Sequence, residues 1–142
     1  MSVSEIEVPY YIGRLICTQI GSDRLLGYKV NKKPSLLSFT GLAYGSKINQ
    51  RKMSRPLVAR RSPALANFAD EVIFVTGGRN LVTRELESSL EWYLVDSDTW
   101  QTSTNNDSVA IQMTLNEPRM GHSSCSLGNR IYVYGGKGEQ KG

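Results

Sequence analysis

One pattern occurs twice in this chain at a fixed offset, and that repetition restricts the fold more than any other feature. Arg61-Ser-Pro-Ala64 leads to Val72-Ile-Phe-Val-Thr-Gly-Gly78, and Arg119-Met-Gly-His122 leads to Arg130-Ile-Tyr-Val-Tyr-Gly-Gly136. Arg61 and Arg119 lie 58 residues apart, as do Ile73 and Ile131, Phe74 and Tyr132, Val75 and Val133, and both glycine pairs. Read in this way, no gap is needed across eighteen positions. A unit this short cannot bury its own faces, so repeated copies are expected to stack on one another and share a core.

Each copy reads as a pair of strands. Residues 72–76 and 131–134 are β-branched and aromatic and end at Gly-Gly, which favours buried strands. Residues 64–68 and 123–127 are small and mildly apolar, suited to a strand crowded near an axis. Farther along the first copy, residues 90–95 predict a third strand and 100–104 a short outer one. Asp96-Ser-Asp-Thr99 between them is hairpin chemistry. Residues 105–108 read as a polar loop, and 109–115 as an outer-strand extension or a connection. Residues 82–91 have some helix propensity, with Leu86 and Leu90 at i, i+4, but a loop into the third strand fits the repeat better. A further shift of 58 places Leu15-Ile-Cys-Thr18 under residues 73–76, with Gln19 and Ile20 where the glycines would be. Leu25-Leu-Gly-Tyr-Lys-Val-Asn31 resembles Leu90-Glu-Trp-Tyr-Leu-Val-Asp96, so a degenerate upstream copy is expected.

Gly77-Gly78, Tyr93 and Trp100 with six residues between them, Arg119, and the second pair Gly135-Gly136 together resemble the kelch repeat. The resemblance covers roughly residues 60–136 and extends loosely back to Leu15. It implies an all-β fold, an incomplete kelch-type β-propeller of antiparallel four-stranded blades. The glycines would permit positive φ and close backbone approach. Tyr93 and Trp100, which bury about 150–250 Å² each, would fill the space between blades. Kelch repeats run near ~50 residues, so an insertion is expected at residues 80–89 or 105–107. The implied organisation is a degenerate first blade in 1–60, a complete blade in 61–117, and the first two strands of a further blade in 118–142. Propellers carry roughly 4–8 blades, and four units of this length need about 230 residues. A fragment of a larger propeller is therefore expected, or self-association through unpaired blades.

The chemistry points away from catalysis. His122 is the single histidine; it occupies the slot that Ala64 holds in the other copy, which favours a structural or rim position. Copper enzymes on kelch-like propellers need more than one imidazole. Arg61 and Arg119 recur, either rimming a channel to bind acidic partner segments bidentately or anchoring the loop between blades. Arg61, Arg119 and His122 are the partner-binding candidates. Asp96 and Asp98 sit in a turn, and Gly135-Gly-Lys-Gly138 lacks phosphate-loop spacing. No catalytic, cofactor or metal residue is assigned, and the expected function is a non-catalytic protein-interaction scaffold. The alternatives are the remnant of a propeller enzyme and nucleic-acid binding by a basic stretch.

That stretch contains Lys47, Arg51, Lys52, Arg55, Arg60 and Arg61, with no acid between Tyr44 and Ala69, in a chain of net charge +4. Lacking an aromatic platform, it reads as a solvated loop rather than a nucleic-acid site. Cys17 and Cys125 give no argument for a disulfide. Asn106-Asp107-Ser108 matches a glycosylation sequon, which has no consequence without secretion. The N-terminus carries two acids and no apolar core, and no 18-residue apolar run occurs, so neither a signal peptide nor a membrane span is expected. The expectation is a cytoplasmic protein.

Overall fold

The computed structural model describes residues 16–30, 32–40, 47–102 and 114–139. The described residues form antiparallel β-structure and no helix. A first sheet runs β1 (Ile16–Ile20), β2 (Arg24–Tyr28), β3 (Ser35–Thr40) and β4 (Lys47–Lys52) in spatial order. After the two-residue β5 (Arg60–Arg61) comes a second sheet of β6 (Ala64–Phe68), β7 (Val72–Thr76), β9 (Leu90–Leu94) and β10 (Thr99–Thr102), again a simple meander. Between β7 and β9, β8 (Arg79–Asn80) pairs back with β5. The hairpin of β11 (Ser123–Leu127) and β12 (Arg130–Tyr134) follows. The inner strands of both glycine-bearing copies thus fall at the segments expected from sequence. The polar loop at 105–108, the sequon and Leu15 lie outside the described residues, as does most of 109–115; Thr114 bridges to Ser89.

Residues 81–89 form a loop because Asn80 captures the chain. Its Oδ1 accepts the amides of Val82 and Thr83 at 2.8 and 3.1 Å, and Arg84 takes a positive φ of 65°. An Asn side chain that satisfies amides in this way competes directly with helix formation.

Strand registers correct the sequence alignment in two places. In the second sheet Ala64 pairs with Thr76; in the hairpin Ser123 pairs with Tyr134. First strands therefore correspond at an offset of 59, one more than the 58 of the second strands. The extra residue lies in the turn: three residues, 69–71, in one copy and two, 128 and 129, in the other. His122 consequently matches Pro63, not Ala64, and Arg119 matches Arg60, not Arg61. The upstream copy is also shifted. β2 follows β1 and pairs with it as β7 pairs with β6, Ile16 opposite Tyr28, so the correspondence runs at 48. Leu25 thus belongs to a second strand, where similarity to residues 90–96 had suggested a third. Apolar character alone matched both frames, and Lys29-Val30 in place of the glycine pair removed the marker.

Side chains alternate across each sheet, so every sheet has two faces. One face of the first sheet (Ile20, Leu26, Tyr28, Leu36) and one face of the second (Leu65, Ile73, Val75, Tyr93) form a single buried cluster with Met53, Val95 and Trp100. The opposite face of the second sheet (Phe68, Phe74, Thr76) meets Ile131 and Val133 of the hairpin across a cavity of about 320 Å³. Adjacent first strands come together, β1 beside β6 and β6 beside β11. The stack has a direction: each unit lays its trailing face on the leading face of the unit before it.

Candidate interaction surface

The glycine pair is the hinge point of the stack, and its two members do different jobs. Gly77 has φ +63°, and a β-carbon there would lie 2.6 Å from the Arg119 carbonyl oxygen and 2.7 Å from Cε1 of His122. Gly78 has φ +90°, and its β-carbon would meet the Arg61 carbonyl at 2.9 Å and the Pro63 nitrogen at 3.1 Å. The first glycine admits the loop of the next unit; the second admits the loop of its own. Gly136 repeats the second role against Met120 and His122, whereas a β-carbon on Gly135 would meet nothing within 4 Å among the described residues.

The loop of residues 119–122 is fixed on this platform by hydrogen bonds. The Gly78 amide donates to the Arg119 carbonyl at 2.8 Å and the Gly121 amide to the Ser62 carbonyl at 2.9 Å. Nε2 of His122 meets Oγ1 of Thr76 at 2.8 Å, and the ring is 7% exposed. Burial, with Arg119 nearby, lowers the His122 pKa, so the ring is neutral at pH 7. The opposite end of the stack is tied through turns. Asp70 Oδ1 accepts the Gly21 amide at 2.8 Å, Asn67 Nδ2 donates to the Gln19 carbonyl at 2.7 Å, and the Ser126 hydroxyl donates to the Asn67 carbonyl.

Arg60, rather than Arg61, is the recurring structural arginine. It is fully buried and donates from Nη1 to the carbonyls of Gly77 (2.8 Å) and Ser89 (2.9 Å) and from Nη2 to Oγ of Ser89 (3.2 Å). Arg119 repeats the first of these, Nη1 to the Gly135 carbonyl at 3.1 Å. Arg60 Nη2 also lies 3.8 Å from Oε2 of the equally buried Glu91. Burial dominates that carboxyl: it pushes the pKa up to about 7 against the opposing pull of Arg60 and the amides of Val58 and Leu57. Sequence analysis passed over Glu91; its position two residues before Tyr93 in an apolar strand was the available signal.

Tyr93 and Trp100 stack on adjacent strands with ring centroids 4.8 Å apart, and they are 0% and 5% exposed. Trp100 Nε1 donates to the Ser54 carbonyl at 2.9 Å, and the Tyr93 hydroxyl donates to Asp98 Oδ1 at 2.7 Å. Asp98 also accepts the Ser54 amide and hydroxyl, both at 2.8 Å. Its burial acts to raise the carboxyl pKa, but these donors and Arg51 outweigh it and hold the group below its ordinary value. The turn aspartate is thus a clasp between the connector after the first sheet and the second sheet.

Among the partner-binding candidates, Arg61 is exposed on β5, while Arg119 and His122 are engaged in the loop contacts above. The basic stretch is not a uniform solvated loop. Its first part is β4, the outer edge of the first sheet, with Arg51 and Lys52 exposed, and Arg60 is interior. Charges on an edge strand discourage pairing with other chains. Leu57 is exposed within the stretch, but a group of exposed apolar side chains lies elsewhere: Leu127, Tyr132 and Tyr134 on the leading face of the hairpin are 71%, 49% and 84% exposed. Their counterparts in the second sheet, Phe68, Phe74 and Thr76, are the residues that the hairpin covers. No helix among the described residues is long and apolar enough to cross a membrane, and no cluster of three His, Cys, Asp or Glu residues there could hold a metal ion. The chain matches no family model and no curated protein.

Proposed function

We propose that the chain is a kelch-type repeat array, part of a β-propeller, that serves as a non-catalytic protein-binding scaffold. The observation that carries this reading is the docking of residues 119–122 on Gly77-Gly78, with Arg119 and the second glycine pair set up in the same way but with nothing among the described residues packed on Gly135. A stack of this kind offers loops and an open leading face to other proteins, while its buried charges serve the packing. Arg61 on the loop side and the tyrosine pair on the leading face are the exposed groups best placed to meet a partner. Affinity capture with the immobilised chain tests this. A defined set of proteins should be retained by the wild-type chain and reduced severalfold by Arg61→Glu or by Tyr132→Ser combined with Tyr134→Ser. Retention of nothing above background, or equal retention by every variant, overturns the reading.

A further inference from the structure

One small ribbon carries charge that the repeat does not require. β5 and β8 pair so that Arg61 stands directly opposite Arg79. Residues opposed in this way share a face, with β-carbons about 5 Å apart, and like charges there work against the pairing. The corresponding positions beside the hairpin, one residue after Arg119 and 58 after Arg79, are Met120 and Lys137. They are bridged antiparallel as well, the amide of each donating to the carbonyl of the other at 3.1 and 2.8 Å. The ladder therefore forms without an arginine pair. Arg60 and Arg119 belong to the packing of their units; the pairing of Arg61 with Arg79 is not part of that pattern. Nor is the pair compensated. Among the described residues the one ion pair is that of Arg60 with Glu91, and Glu87 in the following loop is committed to Asn80 and Ser89 at 2.8 and 2.7 Å. Arg61 is exposed. Arg79 is aimed by one bond, from Nη1 to the Arg84 carbonyl at 2.6 Å, which leaves Nε and Nη2 for a ligand. The same loop is closed by the Asn80 amide on the Glu85 carbonyl at 2.9 Å, and it holds Val82 84% exposed.

Two adjacent guanidiniums carry two positive charges and rigid forks of donors. A single carboxylate answers half of that charge, whereas a phosphate monoester brings about −1.5 to −2 and three acceptor oxygens in one small group. We propose that Arg61 and Arg79 clamp a phosphoserine or phosphothreonine in an extended segment of a partner protein, and that Val82 receives an apolar side chain of the same segment. Val82 is three residues from Arg79, a reach of at most about 11 Å, so the apolar side chain lies within three positions of the phosphate. A nucleic-acid strand fits this surface less well, because the arginine pair is followed by an exposed valine and not by an aromatic platform for a base. This deepens the scaffold reading by naming the partner's chemistry, and it rests on that reading.

The probe is fluorescein-Gly-Leu-Ala-Ala-pSer-Ala-Ala-Leu-Gly, with a leucine three positions to either side of the phosphate, titrated with the full chain in fluorescence polarisation. Saturable binding is expected, weakened at least tenfold in the unphosphorylated peptide, at least tenfold by Arg61→Gln in the chain and about threefold by Val82→Ser. The comparison of the two peptides leaves the chain unchanged, so it does not depend on how a variant folds. Absence of binding, or binding indifferent to the phosphate or to Arg61→Gln, overturns the proposal. Equal affinity for a peptide with Glu-Ala-Glu in place of the phosphoserine assigns the pair to carboxylates. Tighter binding of an oligothymidylate that is lost in Arg61→Gln assigns it to nucleic acid; either result overturns the phosphate assignment. Absence of probe binding with affinity capture intact removes this site alone; absence of capture as well removes the scaffold reading.

Discussion

Gly77→Ala and Gly135→Ala alter the same position of two successive units and should differ sharply in cost. Both residues have positive φ, +63° and +75°, so each alanine carries a left-handed backbone penalty of about 1–2 kcal/mol. At Gly135 nothing among the described residues lies within 4 Å of the new methyl, and that penalty is the whole effect. At Gly77 the methyl would sit 2.6 Å from a backbone carbonyl, and neither strand nor loop can yield without separation. Displacing the 119–122 loop breaks the Gly78–Arg119, Thr76–His122 and Gly121–Ser62 hydrogen bonds. At about 1 kcal/mol each they add roughly 3 kcal/mol. Urea denaturation should place Gly77→Ala about 3 kcal/mol below Gly135→Ala, and amide exchange should show the β11–β12 hairpin losing protection only in the former. Equal losses, within about 0.5 kcal/mol, would refute the assignment of Gly77 to the contact between units.

Other consequences follow from the same contacts. Arg60→Ala should cost about 3 kcal/mol or more in denaturant stability, since it strands buried carbonyls and Glu91, while Arg61→Ala should stay within about 0.5 kcal/mol; the reverse ranking restores the ungapped alignment. Glu91 titrates near 7 when folded and at its ordinary 4.5 when unfolded, so the native state holds the extra proton between these values and stability falls as pH rises through that window. The loss comes to about 3 kcal/mol and is absent in Glu91→Gln; parallel pH–stability curves for the two proteins would contradict the assignment. Asp98→Ala removes three hydrogen bonds from a half-exposed clasp and should cost about 2 kcal/mol, with a red-shifted tryptophan emission as the cover over Trp100 loosens. Unchanged emission and stability would show that the clasp is idle.

The parts of the fold legible in the sequence were those with local markers. β7 and β12 came from apolar runs ended by Gly-Gly, β6 and β11 from the small, mildly apolar runs ahead of them, and the turn after β9 from Asp96-Ser-Asp, because strand and turn chemistry is written into neighbouring residues. Register was not local. A turn one residue shorter leaves the apolar pattern intact, so the sequence match chose Arg61 where the hydrogen-bonded partner of the glycine carbonyl is Arg60. The first sheet, without a glycine pair, offered two equally apolar frames. Of the site residues, Gly77, Tyr93 and Trp100 announced themselves by type and spacing. Glu91 and Asp98 act through tertiary partners at Arg60 and Ser54 that no spacing rule exposes.

Directional stacking of successive sheets is most directly tested by a nuclear Overhauser spectrum of the chain in solution. The account predicts cross-peaks from the Trp100 indole N–H to Ser54, from the Tyr93 and Trp100 rings to methyls of Leu26 and Leu36, and from Thr76 to the His122 ring. Cross-peaks confined within each sheet, with none joining the first sheet to the second or the second to the hairpin, would contradict it.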